Sequence, residues 1–160
     1  MNKKLVFSLL LVGMLAILVT SCGGPDKKLN GVWVGEMDYG VDVQYTFNNG
    51  NFECLIDDVP YVKGSYTTKD GVLTWVMKEV HGGAINYLYD YQILQSKWFS
   101  LNDFVNAARN ALSGIGASER EISEFLNDFT NPTPDNYTVN GNTLVTTSTP
   151  SGTTIIFTKQ

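Results

Sequence analysis

The chain has 160 residues, 43% of them hydrophobic, which is enough for one domain with a substantial core. Its 16 acidic residues outnumber 11 basic ones, and the formal net charge of −5 disfavours binding to nucleic acid or to anionic lipid head groups. One histidine, His81, excludes a histidine-rich metal site and leaves any nucleophile short of a base. We therefore expect no enzymatic activity, no metal and no cofactor.

The N-terminus is typical of a bacterial secretory signal. Basic residues at positions 3 and 4 precede an apolar run over 5–19, which is shorter than the ~20 residues that a membrane-spanning helix needs. The run ends in Val-Thr-Ser-Cys at residues 19–22, which resembles the lipobox of bacterial lipoproteins. This resemblance implies that 1–21 is a signal peptide and that Cys22 carries fatty acid such as palmitate.

Lipid on Cys22 would hold the mature protein on a membrane, because two or three acyl chains anchor stably where one does not. Residues 22–28 are rich in turn formers and charge, which indicates a flexible tether. By analogy with lipoprotein sorting, a glycine after the lipidated cysteine favours the outer membrane. We expect the domain at 29–160 to face the periplasm or the cell surface.

From Gly31 onward, apolar and polar residues alternate in short segments, as in half-buried strands. Tight turns separate the segments. The turn sequences are Asn48-Asn49-Gly50-Asn51, Asp57-Asp58, Asp70-Gly71, Asn140-Gly141 and Pro150-Ser151-Gly152. Strands at this spacing predict a mainly β fold, an antiparallel meander of about eight strands that closes into a barrel and so avoids free edges.

Residues 84–95 leave two alternatives open. Ile85, Tyr87 and Tyr89 share one face at a period of two, which favours a strand. Glycines at 82–83 and the polar pair at 95–96 equally favour a loop across the barrel mouth.

Residues 100–130 break the β pattern. Ser100 with Asp103 indicates a helix start, and Ser118 with Glu121 forms a capping-box pattern. Each start is followed by an apolar helical stripe and then by glycine or proline stops. The stripes are Leu101, Phe104, Val105, Ala108 and Leu112, then Ile122, Phe125, Leu126 and Phe129; the stops are Gly114, Gly116, Pro132 and Pro134. The sequence predicts an inserted helical hairpin, either a lid on the barrel or a docking site for a partner protein.

Leu-Asn-Gly-Val-Trp at residues 29–33 carries the Gly-x-Trp pattern that opens the first strand of lipocalins. With the meander that follows, the chain resembles the lipocalin-like lipoproteins of spirochaetes and similar bacteria, over roughly 29–81 and 136–159. The resemblance implies that Trp33 plugs the closed end of the barrel and that Lys159 covers it. Typical lipocalins have one helix after the last strand, whereas the helical insertion here lies inside the meander.

Three polar features have simple structural explanations. Glu79 and His81 share a strand face and could exchange a proton, but a structural or surface histidine near a turn is the simpler interpretation. Asp57 and Asp58 lack the ligand spacing of a Ca²⁺ loop and are expected in a solvated turn. Cys54 lies in an alternating strand, which predicts a buried thiol with a packing role.

Five aromatic residues fall on the strand faces that we assign to the barrel interior. They are Tyr45, Phe47, Phe52, Tyr66 and Trp75. An eight-stranded barrel has room for filling side chains or for one small ligand, so both roles stay open. The sequence predicts a membrane-anchored lipoprotein that binds a small apolar ligand through these five residues. The alternative is a filled barrel that acts as a scaffold for protein interaction or host contact, with 100–130 as the docking element.

Overall fold

A computed structural model of the chain describes residues 24–37, 40–89, 92–149 and 151–160, without the side chains of 88 and 89. The expected signal peptide and Cys22 lie outside these ranges. The strands are β1 Gly31–Met37, β2 Val41–Asn48, β3 Asn51–Ile56, β4 Val59–Lys69, β5 Val72–His81, β6 Trp98–Ser100, β7 Asp135–Asn140, β8 Thr143–Ser148 and β9 Thr154–Lys159. The helices are α1 Gly82–Tyr89, α2 Leu101–Gly114 and α3 Glu119–Thr130, and a single 3-10 turn, Lys27–Leu29, precedes β1.

Eight strands close into an antiparallel barrel, as predicted. Neighbouring strands pair in order from β1 to β5 and again from β7 to β9. The barrel closes because β5 pairs with β7 and β9 pairs with β1. The β5–β7 contact is short, with Val72 opposite Asn136 and Leu73 opposite Asp135. The extra strand β6 pairs with the other end of β5. The edge of β5 opposite β4 has no paired strand over residues 74–78, between its contacts with β7 and β6, among the described residues; this stretch is named the seam.

The two ends of the barrel differ. The closed end carries the β2–β3 and β4–β5 turns together with the segment before β1, and the opposite end, named the mouth, carries the helices. Trp33 is fully buried near the closed end, and its indole Nε1 donates a hydrogen bond to the Leu29 carbonyl at 2.6 Å. Lys159 Nζ lies 5.1 Å from the centroid of a Trp33 ring. Both residues therefore stand where the resemblance implied.

The residues before β1 pack onto the closed end. The Thr68 hydroxyl donates to the carbonyl of Gly24 at 2.6 Å, and the Tyr137 hydroxyl donates to Asp26 Oδ2 at 3.1 Å. Asp26 Oδ1 also accepts from the backbone N–H of Lys28 and so caps the 3-10 turn. The part of the expected tether from Gly24 onward therefore lies against the barrel and is hydrogen-bonded to it.

Residues 84–89 form neither of the two expected structures, whereas 92–95 lie outside any helix or strand. Gly82–Tyr89 is helix α1, in which Ile85 is buried in the core. The Asn86 side chain accepts from the backbone N–H of Leu94 and donates to the carbonyl of the same residue, which folds the following segment back onto the helix. The alternating tyrosines were misleading because these tertiary contacts outweigh local strand preference.

The helical hairpin predicted at 100–130 is confirmed. The Ser100 hydroxyl accepts from the Asp103 backbone N–H, and Ser118 with Glu121 forms a complete capping box. Helix α2 ends where Gly116 takes a φ of +88°, a conformation that glycine adopts without strain. None of the helices in the described part of the chain has the length and apolar run that a bilayer crossing needs.

The hairpin buries its apolar stripes on itself and on the barrel. Phe104 and Phe129 join α2 to α3 with ring centroids 4.8 Å apart, and Phe125 completes the cluster. Phe129 also meets the ring of Tyr61 in β4 edge-on at 6.1 Å. The hairpin is therefore packed against the mouth and continuous with the barrel core.

Candidate functional site

The five inward aromatic residues meet inside the barrel. Tyr45 stacks on Phe47 at 5.6 Å and on Trp75 at 5.3 Å between ring centroids. Phe52 meets Trp75 edge-on at 4.8 Å, and Tyr66 meets Phe47 edge-on at 5.0 Å. Phe47, Phe52 and Tyr66 are at most 3% exposed, so they fill the interior. The inward orientation predicted from the sequence is confirmed for the whole set.

Two cavities adjoin the Tyr45–Trp75 pair and are named the mouth cavities. One, of about 180 Å³, lies against the inner faces of β8 and β9, where Thr146 and Ile155 line it. The other, of about 260 Å³, lies between the seam and the segment that links α3 to β7. Both cavities are lined by Tyr45, Trp75 and Asp135. These three residues form the wall that the two cavities share, which is named the partition. Each cavity is smaller than the roughly 300 Å³ at which typical ligand pockets begin, which limits an occupant to a small molecule.

Asp135 is the charged group at this partition. Its Oδ2 accepts a hydrogen bond from Trp75 Nε1 at 2.8 Å. Burial raises the pKa of Asp135 above its ordinary value, and the hydrogen bond from Trp75 opposes that shift. Burial also raises the pKa of the Tyr45 phenol well above 10, with Cys54 and Asp135 contributing, so this hydroxyl stays protonated. None of the described residues that line the two cavities is basic.

The raised pKa of Asp135 makes a prediction about stability. The folded state favours the neutral form of the Asp135 carboxyl. This preference adds to the free energy of unfolding below the ordinary pKa of 3.8, and the contribution is lost as the pH rises through the higher pKa that the group has in the folded protein. Asp135→Asn keeps an oxygen acceptor for Trp75, so we expect it to raise the free energy of unfolding at about pH 7 and to leave it unchanged at about pH 3. Urea unfolding at the two pH values measures this difference. A less stable variant at neutral pH would show that the charged hydrogen bond outweighs the desolvation of the carboxylate.

The other polar candidates make structural contacts. Glu79 forms an ion pair with Lys63 at 2.7 Å, while the His81 ring packs edge-on against Trp98 at 5.2 Å. Burial lowers the pKa of His81. Asp57 lies in a tight turn with a φ of +47°, and its carboxylate accepts from the hydroxyl of a tyrosine in α1 at 2.6 Å. Among the described residues, no three His, Cys, Asp or Glu side chains come together as metal ligands.

Cys54 has the packing role expected of it. Its side chain is 1% exposed, and burial raises the pKa of its thiol to about 12. The thiol is therefore protonated and shielded at neutral pH, which makes it unreactive.

Asp135 is the site residue that sequence reasoning missed. It follows Pro134 in a segment whose sequence predicts a turn, so its side chain was not expected to line the barrel interior. Asp135, Tyr137 and Val139 are the three partly buried positions of β7, and they alternate with exposed residues. This period of two was visible in the sequence. A carboxylate in phase with inward apolar residues could have been recognised as a site candidate.

No protein-family model matches the chain, and no curated protein or solved structure proved similar to it. Function is therefore inferred from the geometry of the mouth cavities and from the N-terminal sequence.

Proposed function

We propose that the protein is a lipid-anchored lipoprotein that binds a small ligand, apolar over most of its surface, in the mouth cavities. The supporting observation is the position of the Tyr45–Trp75 pair. Most of the interior is filled by buried rings, yet these two rings line open space on both sides of Asp135. An apolar concavity with few polar groups that converge on it is the usual form of a small-molecule site.

Two neighbouring residues of β9 give a matched test of this proposal. Ile155 lines the smaller cavity, whereas Ile156 is 62% exposed on the outer face. We expect Ile155→Trp to weaken binding of the neutral dye N-phenyl-1-naphthylamine about tenfold, equivalent to about 1.4 kcal/mol, because the indole occupies the cavity. Ile156→Trp should leave dye affinity unchanged. Fluorescence titration measures both, and equal affinities for the two variants would place the dye elsewhere.

A filled barrel that acts as an interaction scaffold is the second candidate. Two observations favour it: the buried rings occupy much of the interior, and Ile115, at the tip of the helical hairpin, is 51% exposed. Native mass spectrometry of the purified protein separates the candidates. A co-purified small molecule supports ligand binding, whereas a bare protein that also binds no dye supports the scaffold.

The lipid anchor has its own test. The supporting observations are the basic start, the short apolar run and the lipobox-like residues 19–22. We expect Cys22→Ser to abolish fatty-acid labelling and to shift the protein from the membrane fraction to the soluble fraction. Cys54→Ala is the matched control, because that thiol is buried in the barrel and should not affect labelling. Continued labelling of Cys22→Ser would reveal a different lipidation site.

A further inference from the structure

The mouth cavities combine aromatic rings with carboxylates. Tyr45 and Trp75 line both cavities and stack with an angle of 26° between their planes. Asp135 sits at the nitrogen edge of the Trp75 indole, held by the 2.8 Å hydrogen bond. Asp128, which is exposed, adds a second carboxylate at the rim of the larger cavity.

This combination favours one sign of charge in a ligand. The faces of aromatic rings carry partial negative charge and attract a cation, most strongly where water is excluded. The partly buried carboxylate of Asp135 has lost hydration that a cation would replace. A neutral ligand would leave that carboxylate without a counter-charge, and an anion would be repelled by the carboxylates of Asp135 and Asp128.

We infer that the mouth cavities select a small organic cation, an ammonium group on a short apolar body, with its charge beside the Asp135 carboxylate in a cavity that Tyr45 and Trp75 also line. This inference rests on the proposed ligand-binding function and names the class of ligand. Cavity volumes of about 180 and 260 Å³ restrict the cation to a small molecule.

Three probes of nearly identical shape test the selection in the purified protein. Choline carries a quaternary ammonium, 3,3-dimethyl-1-butanol replaces its nitrogen with carbon, and 3,3-dimethylbutanoate is an anion of similar size. We expect choline to bind at least about tenfold more tightly than the neutral alcohol, and the anion to bind most weakly. Isothermal titration calorimetry gives the three affinities, and the indole N–H resonance of Trp75 reports whether the probe reaches the site.

Asp135→Asn tests the carboxylate directly. The amide still accepts the Trp75 hydrogen bond, so the variant should remain folded, lose at least about tenfold in choline affinity, and bind the alcohol as before. Asp70→Asn, in the exposed β4–β5 turn at the closed end and outside the lining of both cavities, is the matched control and should leave choline affinity unchanged. The selectivity of the unaltered protein decides the question even if a variant does not fold.

The outcomes separate the ligand class from the binding function. If the alcohol or the anion binds as tightly as choline, or if only the naphthylamine dye binds, cation selection is overturned while the mouth remains a binding site. If neither the dye nor any of the three probes binds, both the inference and the proposed function are overturned.

Discussion

Trp33→Ala should lower the free energy of unfolding by about 3–5 kcal/mol, the range for truncation of a large buried aromatic side chain. Trp33 is fully buried, and its removal would leave an empty volume near the closed end of the barrel. It would also leave the Leu29 carbonyl without its hydrogen-bond donor and the Lys159 ammonium without the ring beside it. Equilibrium urea unfolding measures the loss.

Trp33→Phe is the matched control for this prediction. It keeps an aromatic ring in the core and removes the indole N–H, so its loss should be smaller than that of the alanine variant. A loss below about 1 kcal/mol for Trp33→Ala would show that this side chain does not close the barrel.

Phe129→Ala should also cost about 3–5 kcal/mol of unfolding free energy. The ring is 2% exposed and contacts Phe104, Phe125 and Tyr61, so it links both helices of the hairpin to β4. Urea unfolding monitored by circular dichroism gives the loss. Ile115→Ala, at an exposed position in the same hairpin, should change stability by less than about 0.5 kcal/mol.

This second result bears on the two roles that the sequence left open for 100–130. A hairpin that opens freely as a lid would contribute little to global stability, so a small loss for Phe129→Ala would favour the lid. The expected large loss would make the packed hairpin a fixed wall of the mouth, with its exposed surface left for partners.

Much of the fold was predictable because its signals are local. The alternation of Tyr45 and Phe47 with polar neighbours places them inside, and Ser100 and Ser118 mark both helix starts. Asp70 takes a φ of +52°, which aspartate tolerates in a tight turn. Such features depend on a few consecutive residues, so the sequence alone can reveal them.

The features that escaped prediction depend on contacts between distant residues. Strand β6 has three residues, too few for a period, and forms because Phe99 pairs with Val80. Gly64 lies where β4 and β5 approach so closely that a Cβ atom would meet the Val76 carbonyl oxygen. The seam likewise arises because β7 leaves β5 after two residue pairs. The larger mouth cavity adjoins the seam, so the sequence alone could not predict this cavity.

The attachment of Gly24 to Thr68 determines how the protein would stand on a membrane. One residue separates Gly24 from Cys22, and an extended chain spans at most about 3.6 Å per residue. With lipid on Cys22, as proposed, the closed end of the barrel would lie next to the bilayer. The mouth and its helices would then point away from the membrane. A ligand would then arrive from the aqueous side rather than from between the lipid tails, which suits a water-soluble cation.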